Sequence, residues 1–369
     1  MDGRDASPGD VTRLLAAAGS AFTLLLPSHA TLVANQATFL TLSEQGLVQT
    51  RQYWWDAKYG WYSGRPSDDP PVASLWSSYP LLELVAGVAI ADPTPANEEL
   101  VDTTFLQAEN FWDPTIEGTG GVTWLWGQRD TGNGYFDDAG WWAVAYLDAY
   151  RATKNMRWLW DAERALSYIQ QYAWDPVAGG MWWDSDRDHK TAEPLAAAAL
   201  VAATLYDISH EPYFLEVAKG DVAWADEHTL VGGLYGRSAT DPTVMDYVEG
   251  MMISADVELC RAASEKSWCA KAESIAKASL ATFPTIEPWT PEPDAIYMHA
   301  MLQLYEQDGD PTWYALAYAN ATSAEANARD ADGFWSHDWR GYTMDPGQLF
   351  TQSATLELFA WMAATSPPA

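Results

Sequence analysis

What most constrains this chain is a recurrence. Apolar residues at helical spacing fill twelve stretches, and the starts of every second one fall near residues 72, 138, 191, 243, 293 and 347. A helical-hairpin unit therefore recurs roughly every 50–65 residues, a period that signals a repeat architecture. The predicted helices run at about 31–50, 72–90, 96–112, 138–153, 156–173, 191–208, 211–229, 243–264, 266–282, 293–308, 311–328 and 347–364. Loops rich in Gly, Pro, Asp and Trp separate them, and nothing alternates with period two for long enough to be a strand. The class is all-α. The second helix of each unit is the more apolar, as in the run Ala196–Ala203, and suits an inner ring buried on all sides. Partners such as 156–173, with Arg157, Asp161, Glu163, Arg164 and Gln170, are amphipathic and belong outside. Six hairpins predict one closed barrel domain over 31–369. An α-solenoid would instead expose a capping repeat and a long concave surface, not loops loaded with tryptophan.

Charge narrows the partners. Twenty Lys+Arg against 51 Asp+Glu give a formal net charge of −31. A duplex binder needs a basic stripe that releases counterions, and the basic residues here are scattered, so nucleic acid is excluded as a partner. The same field repels uronic acids, sialic acids and phosphorylated substrates, which favours a neutral ligand.

The only long apolar run, Leu14 to Leu26, precedes Ser28-His29-Ala30. It is too short to span a bilayer and reads as a signal-peptide core with a small-x-small cleavage site, making residues 1–30 a leader and the protein secreted. Three Asp and two Arg in Met1–Arg13 do not suit a leader, so an extra packed N-terminal helix is the other reading. Cys260 and Cys269 are the only cysteines and lack metal-binding spacing. Either they close a small disulfide or they are buried thiols on successive helices. Asn320-Ala-Thr322 is one glycosylation sequon.

The densest chemistry lies in Gly132–Leu147, where Asp137 and Asp138 stand side by side at the entry to a predicted inner helix. One Asp is accounted for as a helix N-cap. A second carboxyl allows another reading. Outside regular helix, neighbouring carboxyls can approach the separation of roughly 5–5.5 Å used by retaining glycosidases. Two such charges cannot both ionise easily, so one stays protonated as an acid and the other serves as nucleophile. Most tryptophans belong to the core. Those in Gly/Asp-rich connections, Trp124, Trp126, Trp183 and Trp335, are candidates to stack on pyranose rings. Asp184-Ser-Asp186-Arg-Asp188 opens like a calcium loop, but His189 stands at position six and Leu195 at twelve, which makes it a solvated acidic loop. No His pair has helical metal spacing, and there is no phosphate loop or Ser/His/Asp order.

Tyr135-Phe136-Asp137-Asp138-Ala139-Gly140-Trp141-Trp142-Ala143 resembles the signature of glycoside hydrolase family 76, the endo-α-1,6-mannanases and related cell-wall transglycosylases. The resemblance continues through Gly179-Gly180-Met181-Trp182-Trp183, Lys190 and Tyr206, and weakly through Gln352-Ser353-Ala354. It implies an (α/α)6 barrel, with Asp137 in the nucleophile's place and Asp138 in that of the general acid/base. It also implies substrate contacts at Tyr135, Lys190, Tyr247 and Glu249, and no cofactor. Departures fall at Thr191, Leu195, Val248, Glu249 and Met298, positions that line subsites in the family. The function so implied is retaining hydrolysis of α-1,6-mannosidic linkages by a monomer without a membrane span. Three alternatives remain. A six-hairpin sugar epimerase would need paired His at its centre, and an unsaturated-uronide hydrolase would need cations for a carboxylate. A non-catalytic carbohydrate binder would keep the tryptophans but have no use for the Asp pair.

Overall fold

The computed structural model describes residues 24–369 except 66, 68–71, 125, 128–133 and 264. Residues 1–23, with most of the run expected as a leader, lie outside the described residues. The described residues form twelve α-helices. Six are α1 (His29–Trp54), α3 (Pro95–Ala108), α5 (Met156–Tyr172), α7 (Pro212–His228), α9 (Lys266–Thr282) and α11 (Pro311–Asn327). They alternate with α2 (Leu75–Ala91), α4 (Phe136–Thr153), α6 (Ala192–Ser209), α8 (Asp246–Ala263), α10 (Pro291–Asp308) and α12 (Leu349–Ala364).

The even-numbered helices pack side by side in chain order, and α12 closes on α2. This is the expected inner ring. The odd-numbered helices cover it: α3 lies on α2 and α4, α5 on α4 and α6, and α1 on α12. Composition decides which helix goes where. In α6 fourteen successive residues, Ala192 to Leu205, are buried, as a helix surrounded on every side requires. In α5 burial is confined to a stripe through Trp158, Ala162, Ala165 and Ile169. Small residues let the inner helices approach closely. A Cβ at Gly140 of α4 would lie 2.4 Å from the Ala197 methyl of α6, so no larger residue fits there without moving a helix.

Short ribbons, absent from the sequence reading, tidy the loops: Trp55–Asp56 pairs with Trp61–Tyr62, Trp112–Asp113 with Gly121–Val122, and Leu230–Val231 with Leu234–Tyr235. Of the two readings of the cysteines, the bonded one holds, and Cys260 of α8 is joined to Cys269 of α9. The sequon asparagine is no attachment point in the folded chain. Asn320 is fully buried, donates to the carbonyls of Thr285 and Leu316, and accepts from the Glu287 amide.

Since each odd helix returns the chain to the same end, all six inner helices start at one mouth of the barrel and finish at the other. Their positive N-terminal ends converge on the first mouth, which favours negative charge there.

Candidate active site

At that N-terminal mouth a cleft of about 370 Å³ is lined by the first turns of four inner helices and the loops before them. Trp76 comes from α2, Asp137, Asp138 and Trp141 from α4, Glu193 from α6 and Tyr247 from α8; Trp124, Tyr135, Trp183 and Arg237 come from loops. Trp76 is the hub of the aromatic wall, with ring centroids 5.3 Å from Trp141, 6.3 Å from Tyr247 and 5.1 Å from Phe350.

Helix α4 begins at Phe136, so both aspartates sit inside its first turn; Tyr135 takes the N-cap position and makes no side-chain cap. The loop 181–190 is stitched to this helix start. The Phe136 amide donates to the Trp183 carbonyl at 2.8 Å, and the Ser185 amide to the Gly134 carbonyl at 3.0 Å. That seam carries the Trp183 indole to the site, where Nε1 donates to Asp137 Oδ2 at 2.9 Å. Asp137 Oδ1 accepts the Asp138 amide at 3.0 Å. Donors thus hold both Asp137 oxygens, whereas no described donor hydrogen-bonds to the Asp138 carboxyl. Burial is the main cause that raises both acids. Asp137 is brought to about 7, with the Trp183 bond opposing the rise and Glu193 adding to it. Asp138 is pushed well above the usual range by burial and by the charge of Asp137. The pair therefore has one member equipped to be an anion and one that keeps its proton.

Opposite the pair, Glu193 Oε1 receives Arg237 Nε at 3.3 Å and faces the Tyr247 hydroxyl at 3.5 Å. Its buried Oε2 has no hydrogen-bond partner among the described residues. The guanidinium is thereby balanced by a carboxylate, and among the described residues the cleft offers no uncompensated cation to a uronate.

Of the residues singled out from the sequence, Asp137, Asp138, Trp124, Tyr135, Trp183 and Tyr247 meet in the cleft. Four do not. Trp126 lies flat against Trp61, 6.2 Å between centroids, and donates to the Gln107 carbonyl, because its loop folds back onto the ribbon. Trp335 is buried, with its ring edge-on to Phe359 and its amide held by Gln352 Oε1. Glu249 is buried as a cap on the Tyr235 amide at 2.7 Å. Lys190 Nζ is spent on Asp175 and the Gly179 carbonyl, both at 2.6 Å, in a neighbouring hollow with Trp182 and Trp224. Leu195, Val248 and Met298 are core residues, so these departures alter packing and do not line the cleft. Trp76, Glu193 and Arg237 escaped the sequence reading as site residues, and Trp141 entered it only as part of the family signature. A positional signal could have found them, since Trp76 and Glu193, like Asp137, stand in the opening turn of a predicted inner helix.

Twelve helices packed as an inner and an outer ring make this an (α/α)6 barrel. Residues 119–288 match the model of glycosyl hydrolase family 76, a span that includes the Asp pair, Trp183, Glu193 and Tyr247. That segment is similar to the family's model, and the chain as a whole shares the fold of family 76 glycoside hydrolases. Among solved structures, a family 76 α-mannanase of Bacteroides thetaiotaomicron superposes with a TM-score of 0.80 at 18% identity, over 91% of this chain and 98% of that one. An α-1,6-mannanase of Salegentibacter, in an inactive variant with two aspartates replaced and α-1,6-mannotetrose bound, gives 0.73 at 18% over 88% and 98%. A sugar epimerase from a ruminal bacterium gives 0.69 at 12% over 89% and 98%. Likeness at these identities establishes the fold. No curated protein sequence matches the chain.

Proposed function

We propose that this protein cleaves α-1,6-mannosidic linkages of mannan by double displacement, with Asp137 as nucleophile and Asp138 as general acid/base. The observation that carries the reading is the asymmetry of the pair: two successive carboxyls share one aromatic cleft, and among the described residues donors hold Asp137 alone. Protonated Asp138 gives its proton to the glycosidic oxygen as the bond to the anomeric carbon breaks, and an Asp137 oxygen bonds to that carbon. Deprotonated Asp138 then takes a proton from water, whose oxygen displaces Asp137 and releases the sugar with its original configuration; a sugar hydroxyl in place of water gives transfer. The Trp183 indole and the Asp138 amide stabilise Asp137 as it leaves. Trp76, Trp124 and Tyr135 offer faces for pyranose rings, and Glu193 Oε2 an acceptor for a hydroxyl.

A neutral substrate fits the net charge of −31 and the Arg237–Glu193 pairing. The epimerase reading is disfavoured because no histidine lines the cleft among the described residues. Export remains part of the proposal, supported by the Leu14–Ala30 pattern and the disulfide. Digestion of linear α-1,6-mannan with sizing of the products tests the function. Release of manno-oligosaccharides is expected, and faster cleavage of a uronate-containing polymer would overturn it.

A further inference from the structure

The interior of the barrel, midway along α2 and α10, holds a second group of ionisable side chains that the chemistry above does not use. Glu83 of α2, Asp148 of α4 and His299 of α10 present one ligand atom each, all within 4.8 Å of one another. Neither Glu83 oxygen receives a hydrogen bond from any described donor, although the side chain is fully buried. Its nearest polar neighbours are the Asp148 carboxyl and His299 Nδ1, the latter 4.0 Å from Oε2. Glu357 of α12, also fully buried, has two oxygens in the same condition.

Charge counting sharpens the point. Four buried carboxyls gather here: Glu83, Asp148, Glu258 and Glu357. Two arginines answer them. Arg151 bridges Asp148 at 2.9 Å and Glu258 at 2.6 Å, and Arg261 reaches Glu258 at 3.1 Å. Glu83 and Glu357 are left with no cationic or hydrogen-bond partner among the described residues. A hollow of about 200 Å³ reaches Asp148 and His299 from outside and provides an entry path.

We propose that Glu83, Asp148 and His299 bind one divalent transition-metal ion, zinc by the chemistry of the donors, which ties α2, α4 and α10 across the barrel interior. Two carboxylates and an imidazole suit zinc, whereas calcium takes six to eight oxygen ligands. Zinc sits about 2.0–2.2 Å from each donor, so binding draws the three side chains inward. The imidazole is prepared for the task. Its ring stacks on Trp361, with centroids 3.6 Å apart. Its Nε2 lies 3.2 Å from the Gln303 amide, whose Oε1 is buried without a partner. Turning that amide over lets Oε1 accept the Nε2 proton, which satisfies the oxygen and aims the Nδ1 lone pair at Glu83, the outer contact that metal-binding histidines usually make.

Tag-free protein, stripped with a chelator and dialysed, is titrated with Zn²⁺ by calorimetry and with Co²⁺ by visible absorption. The expected result is one ion per chain, weakened about tenfold or more by Glu83→Gln and by His299→Asn, and unchanged by His189→Asn on the exposed Asp188–His189 pair. Circular dichroism verifies that each variant is folded, and the wild-type stoichiometry stands independently of them. Absence of binding by wild type overturns the proposal and leaves the carboxyls sharing protons. Binding that survives both Glu83→Gln and His299→Asn, or is lost with His189→Asn, overturns it by moving the ion elsewhere.

Discussion

Asp137 and Asp138 differ by one position in sequence and by their whole environment in space. The indole proton and a first-turn amide serve Asp137, while Asp138 is buried beside that charge and no described donor reaches its carboxyl. Replacing Asp137 with Asn should abolish turnover of every glycoside, because no covalent intermediate can form. Asp138→Asn should slow mannan cleavage by about 10²–10⁴-fold, the usual worth of a general acid. An aryl mannoside whose leaving group needs no proton should still react with that variant, and azide should release the intermediate. Assays of both variants on both substrates check this, and near-wild-type rates would reduce the pair to a helix-start feature. Trp183→Phe removes a bond to an ionised carboxylate worth about 1.5–3 kcal/mol. Because that bond holds Asp137 down, its loss should move the acid limb of the pH–rate profile upward from near 7, and an unmoved limb would contradict the assignment. Adjacency made the Asp pair legible in the sequence. Glu193 and Arg237 were not, because hairpins far apart in the chain bring them together. Trp126 and Trp335 misled for the opposite reason: tryptophan in a Gly/Asp-rich loop gives no sign of whether the loop folds back over its own side chain.

The helices were the most legible part of the chain. The stretch read as 191–208 is α6 at Ala192–Ser209, and that read as 156–173 is α5 at Met156–Tyr172, since the difference between all-round and one-sided apolarity is written into composition. The start of α4 was placed two residues late, at 138 against Phe136, because an Asp before an apolar run looks like a cap. The two-residue ribbons were invisible, being too short to show a period. What holds the inner helices at their spacing gives a prediction at this scale. Gly140→Val would drive side-chain atoms into Ala197 and should cost about 1–3 kcal/mol in denaturant unfolding, and an unchanged midpoint would show that α4 and α6 are not as tightly apposed as described. Joining Cys260 to Cys269 closes a short loop between α8 and α9, so Cys269→Ser should lower stability by about 2–3 kcal/mol.

Across the whole molecule, buried carboxyls set how stability depends on pH. Burial raises Asp246 to about 6, Asp161 and Glu287 to about 7 and Asp256 to about 8. An acid raised in the native state binds its proton more tightly there than when unfolded. Its stabilising contribution is therefore complete below the unfolded value near 4 and is lost as pH climbs through the folded value. Metal-free protein should melt at a higher temperature at pH 5 than at pH 8, and calorimetry showing a rise over that interval would contradict this. The net charge of −31 acts in the same direction, and added salt should narrow the gap by screening it. Function is also a property of the whole barrel, whose inner helices deliver two carboxyls and an aromatic wall to one mouth. The most direct test of that account is proton NMR of wild-type protein acting on linear α-1,6-mannan, following the first reducing ends formed. The α-anomer should be produced first and mutarotate to β with time. Initial release of the β-anomer, or no cleavage at all, would contradict double displacement at the Asp137–Asp138 pair.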